Sequence, residues 1–274
     1  MKFGLSTVVY EPKFLKLAMI RKDWEKLYLE YLDSGTKLAS RLGFKIIEVS
    51  GLFFNAHEIL PPIIKQIKDK LKPFKQVSWH TPIKFISVQA MKECILIGKK
   101  VGAKKIVIHP HFLSLTPGFK ESTSKKILEV IKSFKESKLE EILELIKFCK
   151  KQNLIPCMEN LPTEVPKYNR PEEFDFLVKK GAYLTVDTGH AITVNVDPVS
   201  FLERFGKKVR NIHLQDGLAG MPDEHYALGD GEMDYVKFLN KLEEMKFKDF
   251  VILELLSEEN VIKSLNKLKE FIKF

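Results

Sequence analysis

Residues 183–190 read YLTVDTGH, and this octet decides how the rest of the chain is read. Tyr183 to Asp187 is a short β-rich run, and a glycine turn then carries the chain on to His190. A carboxylate thus ends a strand, and an imidazole follows three residues later. As a bare pattern DxxH is weak, because Asp187 can simply cap the following helix. Its weight comes from its position at the end of a strand that belongs to a series.

Seven further runs match it: Phe3 to Val9, Ile46 to Ser50, Gln76 to His80, Lys105 to His109, Ile155 to Glu159, Val209 to Leu214 and Phe250 to Leu255. Between them lie amphipathic helix patterns over Trp24–Leu42, Glu58–Leu71, Val88–Val101, Leu139–Lys151, Pro171–Lys180, Asp234–Met245 and Val261–Phe271, with a shorter helix after Asp197. The 274 residues give about 34 per unit, enough for a strand, a helix and two loops. No Gly/Ser-rich or Pro-rich linker divides the chain. A doubly wound sheet also alternates strands and helices, but neither a GxGxxG opening nor a GxxxxGK[ST] phosphate loop is present. The expectation is an α/β protein, a single (β/α)8 TIM barrel over residues 1–274, with its site at the C-terminal ends of the strands.

Those strand ends carry the chemistry: Ser50, His80, His109, Glu159 with Asn160, Asp187 with His190, His213 with Asp216, and Glu254. Parallel strands bring residues remote in sequence to one mouth, where barrel enzymes build their sites. Five of the seven histidines, His80, His109, His190, His213 and His225, fall on this rim beside Glu159, Asp187, Asp223 and Glu254. Imidazoles mixed with carboxylates suit zinc, manganese or iron better than calcium or magnesium. In NIHLQDG (211–217), alternation sends Ile212 and Leu214 away from the face of His213, making it an inward ligand. Asp216 can orient a metal-bound imidazole, contact substrate or cap the loop. Glu159 in CMEN and Glu254 in VILEL end apolar strands, where a buried carboxylate needs a metal or hydrogen bonds. Asp223 and His225, two residues apart in DEH, can reach one ion if the loop from Gln215 to Glu232 bends suitably. A second long loop, Pro110 to Ser124, is expected to be irregular and to cover or line the mouth.

Composition narrows the setting. The apolar fraction of 45% supports a full core, which excludes a disordered chain or a disulfide miniature. Net charge is +9, yet only Arg21, Arg41, Arg170, Arg204 and Arg210 carry the forked guanidinium, so a solvated lysine-rich surface is the simpler reading than a dedicated phosphate-reading one. Cys94, Cys149 and Cys157 have no paired spacing, and no apolar run approaches membrane-spanning length. A cytoplasmic monomer with no membrane partner is expected.

The ordered set HTP, IHP, MEN, VDTGH, IHLQD, DEH, GDG and ILEL resembles the endonuclease IV and xylose-isomerase-like TIM-barrel superfamily, AP endonuclease family 2, over nearly the whole chain. The resemblance implies three divalent ions, zinc foremost and manganese as the alternative. His80, His109 and Glu159 would hold one; Glu159, Asp187, His213 and Glu254 a second; His190, Asp223 and His225 the third. It also implies attack of metal-bound hydroxide on a phosphodiester, cleaving 5′ to an abasic site in DNA, with Glu159, Glu254 and Asp216 as catalytic candidates. The aromatic residue that commonly follows HxP in the family is replaced by Ile83, and the loop SGLFFNAHE offers Phe53 and Phe54 but no arginine. Other members of the superfamily imply a different enzyme, a sugar or sugar-phosphate isomerase/epimerase. There Glu159, Asp187, His213 and Glu254 would surround one ion, and Glu159 and Glu254 would exchange protons with a hydroxy-carbonyl substrate. A noncatalytic metal-dependent binding module is the third reading.

Overall fold

Eight parallel strands close into a barrel in the computed structural model, which describes residues 1–18, 23–51, 61–82, 84–85, 87–110, 113–115, 134–136, 138–269 and 271. The barrel strands are β1 (Lys2–Ser6), β2 (Ile46–Ser50), β3 (Gln76–His80), β4 (Lys105–Ile108), β5 (Ile155–Glu159), β6 (Tyr183–Asp187), β7 (Val209–Leu214) and β8 (Phe250–Leu253). Each pairs with its neighbours in sequence, and β8 returns to β1 with Phe3 opposite Val251 and Leu5 opposite Leu253. Closure removes both sheet edges and aims all eight carboxyl ends at one mouth.

Alternation along each strand sorts two interiors. Outward residues such as Ile47, Val49, Trp79, Ile106, Ile108, Val186, Ile212 and Val251 join the large apolar layer beneath the helices. Helix 88–100 comes so close to β3 that a Cβ on Gly98 would stand 2.6 Å from the Trp79 ring. The inner apolar residues form a small floor of Ile46, Phe250 and Ile252, next to Gly4, where a Cβ would meet Ile252 at 2.7 Å. Lys105 is buried at this lower end, bonded to Asp249 at 2.7 Å and over the Phe250 ring. Above the floor the interior turns polar: Glu48, Ser78, Thr185 and Asn211 are fully buried, and the rim of imidazoles and carboxylates lies above them. A polar column inside a barrel costs stability unless its members satisfy one another.

Several boundaries differ from the expected ones for local reasons. The first strand stops at Ser6 rather than Val9, because the Ser6 hydroxyl accepts from the Val8 amide and starts a 3-10 turn, Thr7–Tyr10, followed by helix Glu11–Ala18. Capping there outweighs the β-propensity of the two valines. The last helix begins at Glu258, capped by Ser257 on the Asn260 amide, and ends at Lys267. The segment expected as one helix from Pro171 divides into a 3-10 turn, Pro171–Phe174, and helix Asp175–Lys179. Leu113–Leu115, expected in an irregular loop, instead pairs with Lys84–Phe85 and Phe134–Glu136 in a separate three-stranded sheet. The rest of that loop beyond Pro110, together with Ile83, Phe53, Phe54, His57 and His111, lies outside the described residues. Among the described residues no helix is long and apolar enough to cross a membrane.

Candidate metal centre

Glu159, at the end of β5, is fully buried and splits its two oxygens between two groups of ligands. Its Oε2 lies 3.0 Å from His80 Nε2 and 2.8 Å from His109 Nε2. Its Oε1 lies 2.7 Å from His213 Nδ1, which is also 2.5 Å from Glu254 Oε2 and 3.7 Å from Asp187 Oδ2. A third group stands beside these: Asp223 Oδ2 is 2.9 Å from His190 Nε2 and 3.0 Å from His225 Nε2. His190 links the groups, with Nδ1 3.8 Å from Asp187 Oδ1 and 3.9 Å from Glu159 Oε1. All nine residues expected as ligands therefore meet at one mouth, from the ends of β3 to β8 and the loop after β7.

On three of the rings Nδ1 is tethered to a backbone carbonyl. His80 Nδ1 donates to Thr81 O at 2.9 Å, His190 Nδ1 to Asn160 O at 2.8 Å and His225 Nδ1 to Glu254 O at 2.9 Å. A proton held on Nδ1 leaves Nε2 as the ligand atom, which is how proteins orient metal-binding imidazoles. His109 supplies a direct test of fit. Neither of its nitrogens makes a hydrogen bond among the described residues although both are buried, and Nε2 sits beside Glu159. A cation between that ring and that carboxylate satisfies both, and nitrogen with carboxylate oxygen is zinc and manganese chemistry.

The electrostatics of the mouth agree with a site built for cations. Burial, reinforced by Asp223, Glu159 and Glu254, pushes the Asp187 carboxyl up to about 7, against the pull of His190. Burial opposes the imidazolium of His80, but Glu159, Glu254 and Glu48 outweigh it and raise the group to about 9. At His225 burial is likewise overcome, chiefly by Asp223, and the group reaches about 9. These histidines hold protons at neutral pH that an incoming ion displaces. Because their raised values lie above 7, zinc affinity is expected to climb as pH rises from 7 toward 9, with proton release at neutral pH. Calorimetric zinc titration in buffers of differing ionisation enthalpy checks this; uptake without proton release contradicts it.

Supporting residues hold the candidate ligands in place. Gln215 Nε2 donates to both Asp187 oxygens, at 2.9 and 2.8 Å, and the His190 amide donates to Oδ1 at 2.7 Å. That amide bond makes Asp187 the cap of helix Thr188–Thr193, so its capping and site roles coexist. The Asn160 side chain clamps the Asp187 backbone through its carbonyl and amide, at 2.7 and 2.8 Å. Gly189, Gly217 and Gly231 stack where the Asp187–His190 turn meets the following loop. A Cβ on Gly189 would stand 2.7 Å from Gln215, one on Gly217 2.9 Å from Gly189 O, and one on Gly231 would collide with Gly217 O and Asp216. His225 adopts a left-handed φ of 51°, part of the bend that turns it and Asp223 toward one point.

Asp216, expected as a catalytic candidate or as a loop cap, is placed by the structure among the backbone amides of its own loop. Its Oδ1 accepts from the amides of Gly217 at 2.8 Å and Met233 at 2.9 Å, and its Oδ2 from Gly229 at 2.8 Å. The carboxylate is committed to fastening the 215–232 loop, the capping alternative. Two acidic residues escaped the reading of strand ends. Glu48 contacts His213 from below, and its signal was the lone carboxylate inside IIEVS, two residues before Ser50 and on the same face. Glu11, the first residue of helix Glu11–Ala18, is pushed up to about 7 by burial and by Glu254 and pulled down by His225 and His80, which puts it electrostatically at the same mouth.

A closed parallel barrel with buried imidazoles and carboxylates at the carboxyl ends of its strands has the build of a metal-dependent barrel enzyme. The chain belongs to the xylose isomerase-like TIM barrel family, whose model matches residues 36–271. It is 22% identical to an uncharacterized protein of Methanocaldococcus jannaschii, over 99% of this chain and 89% of that one. Among solved structures, a D-tagatose 3-epimerase-like protein superposes with a TM-score of 0.70 at 21% identity, covering 98% of this chain and 96% of the other. Endonuclease IV from Thermus thermophilus superposes with a TM-score of 0.63 at 15% identity, covering 98% of each. What these structures share with the chain at such identities is the fold.

Proposed function

We propose that the chain is a metal-dependent phosphodiester hydrolase that cleaves DNA 5′ to abasic sites, with up to three zinc ions, or manganese in their place. The observation that carries this reading is the third group, His190, Asp223 and His225. A one-ion sugar site made from Glu159, Asp187, His213 and Glu254 gives those residues no ligand role, whereas a multi-ion site for a phosphodiester, whose nonbridging oxygens share a negative charge and whose 3′ oxygen departs, does. When bound, the ions supply Lewis-acid stabilisation of the phosphate and activation of water. The chain's own part is to fix their spacing: Glu159 ties the first two groups together, and His190 stands between the second and the third. The lysine-rich surface adds sequence-independent attraction to the DNA backbone.

A second reading, a sugar or sugar-phosphate epimerase, draws on Glu159 and Glu254, which flank His213 Nδ1 at 2.7 and 2.5 Å as a proton-exchanging pair around one ion could. The D-tagatose 3-epimerase-like neighbour supports it. Metal analysis of the zinc-reconstituted chain, paired with turnover of an abasic duplex and of a hydroxy-sugar and sugar-phosphate panel, separates the two. Near three ions per chain with cleavage is the expected result. A reproducible single ion with sugar turnover and an intact duplex rejects the hydrolase.

A further inference from the structure

Glu48 lies in the middle of β2, fully buried, two residues short of the strand end where the chemistry was expected. A carboxylate sealed inside a barrel is costly, and an apolar side chain would fill the same space more cheaply, so its presence asks for a partner. Its Oε2 accepts from Ser78 Oγ at 2.9 Å and Asn211 Nδ2 at 3.1 Å. Its Oε1 lies 2.8 Å from His213 Nε2 as a charge-pair contact and makes no hydrogen bond of good geometry among the described residues. Asn211 Nδ2 also comes within 3.2 Å of that nitrogen and has a second proton to offer it, but a carboxylate oxygen 2.8 Å from a bare ring nitrogen would set two lone pairs against each other, and a proton on Nε2 relieves that. The His80 ring, stacked on His213 at 5.5 Å with an interplanar angle of 21°, limits the tilt of the imidazole.

We infer that Glu48 is a positioning residue for the metal centre, accepting the Nε2 proton of His213 and so turning Nδ1 toward the group formed with Glu159, Asp187 and Glu254. It stands in the same relation to His213 as the backbone carbonyls do to His80, His190 and His225, with a charged acceptor in place of a neutral one. A charge-assisted bond holds the ring more firmly and makes Nδ1 a stronger donor to a cation. The inference rests on the metal reading of the mouth but not on the choice between DNA and sugar.

The test is zinc titration of the metal-free protein, wild type against Glu48→Gln. The expected result is roughly 10–100-fold weaker zinc at the His213 group, the scale at which such outer partners act, with the His190, Asp223 and His225 group unaffected. In the zinc-loaded wild type, nuclear magnetic resonance is expected to find a His213 Nε2 proton protected from exchange, and Glu48→Gln to remove that protection. A merely structural role for Glu48 does not move that proton. Zinc affinity within about twofold of wild type together with an unchanged ring proton overturns the inference while leaving the metal reading intact. A wild-type chain that takes up no zinc sinks both. Should Glu48→Gln fail to fold, Ser78→Ala removes one of the two donors that hold Oε2 and is expected to weaken the same ion several-fold; unchanged affinity there also overturns the proposal.

Discussion

Glu159→Gln is expected to strip at least two ions from the centre and to lower turnover of an abasic duplex by roughly 10²–10³-fold or more. The side chain keeps its shape, so the barrel is preserved and the loss is electrostatic. Glu159 meets His80 and His109 with one oxygen and His213 with the other, and a neutral amide can offer only one acceptor to the two sides. The other face would present N–H donors where a cation should sit. Without that carboxylate, His109 loses the charged neighbour beside its Nε2. Elemental analysis and single-turnover cleavage, run on the same preparations, give the answer. Cleavage that survives substantial metal loss defeats the hydrolase mechanism.

Asp216→Ala is expected to destabilise the protein by roughly 3–5 kcal/mol and to remove the ion of the third group. Three backbone amides, those of Gly217, Gly229 and Met233, lose their acceptor at once, and a buried donor left unpaired costs about 1–3 kcal/mol. Partial hydration of the loosened loop keeps the sum at the lower end. Asp223 and His225 ride on that loop, so its release separates them from His190. Denaturant unfolding and metal counting decide the matter. A variant with wild-type stability and full metal content but no turnover would return Asp216 to the catalytic role expected from its sequence position.

The barrel was legible because its strands repeat at a steady spacing and most end in a polar residue, so one topological idea places all the ends together. The nine candidate ligands followed from that idea, and the fold brings them to one mouth. What stayed hidden depends on pairings that no local pattern records. Asp216 bonds amides up to 17 residues away, which looks in sequence no different from an acid beside a substrate. Glu48 sits below the rim, and attention to strand ends passed over it although alternation with Ser50 marks its face. The small sheet of 84–85, 113–115 and 134–136 joins segments that lie far apart along the chain, and Leu-Ser-Leu is too short a run to announce a strand among its Pro and Gly neighbours. Ser6 ended β1 by capping, a competition between serine and the valines after it that composition alone does not settle.

The third group differs from the others in where its members come from. Every other ligand sits at or just past the end of a barrel strand, while Asp223 and His225 both belong to the one connector that Asp216 and the glycine stack hold down. Ion number is then a property of a replaceable part. On the proposed three-ion reading, a lineage, or a designer, that shortens this connector removes two of the nine candidate ligands without disturbing any strand. If the proposed assignment holds, a single loop then decides whether the mouth presents the third group to a substrate at all.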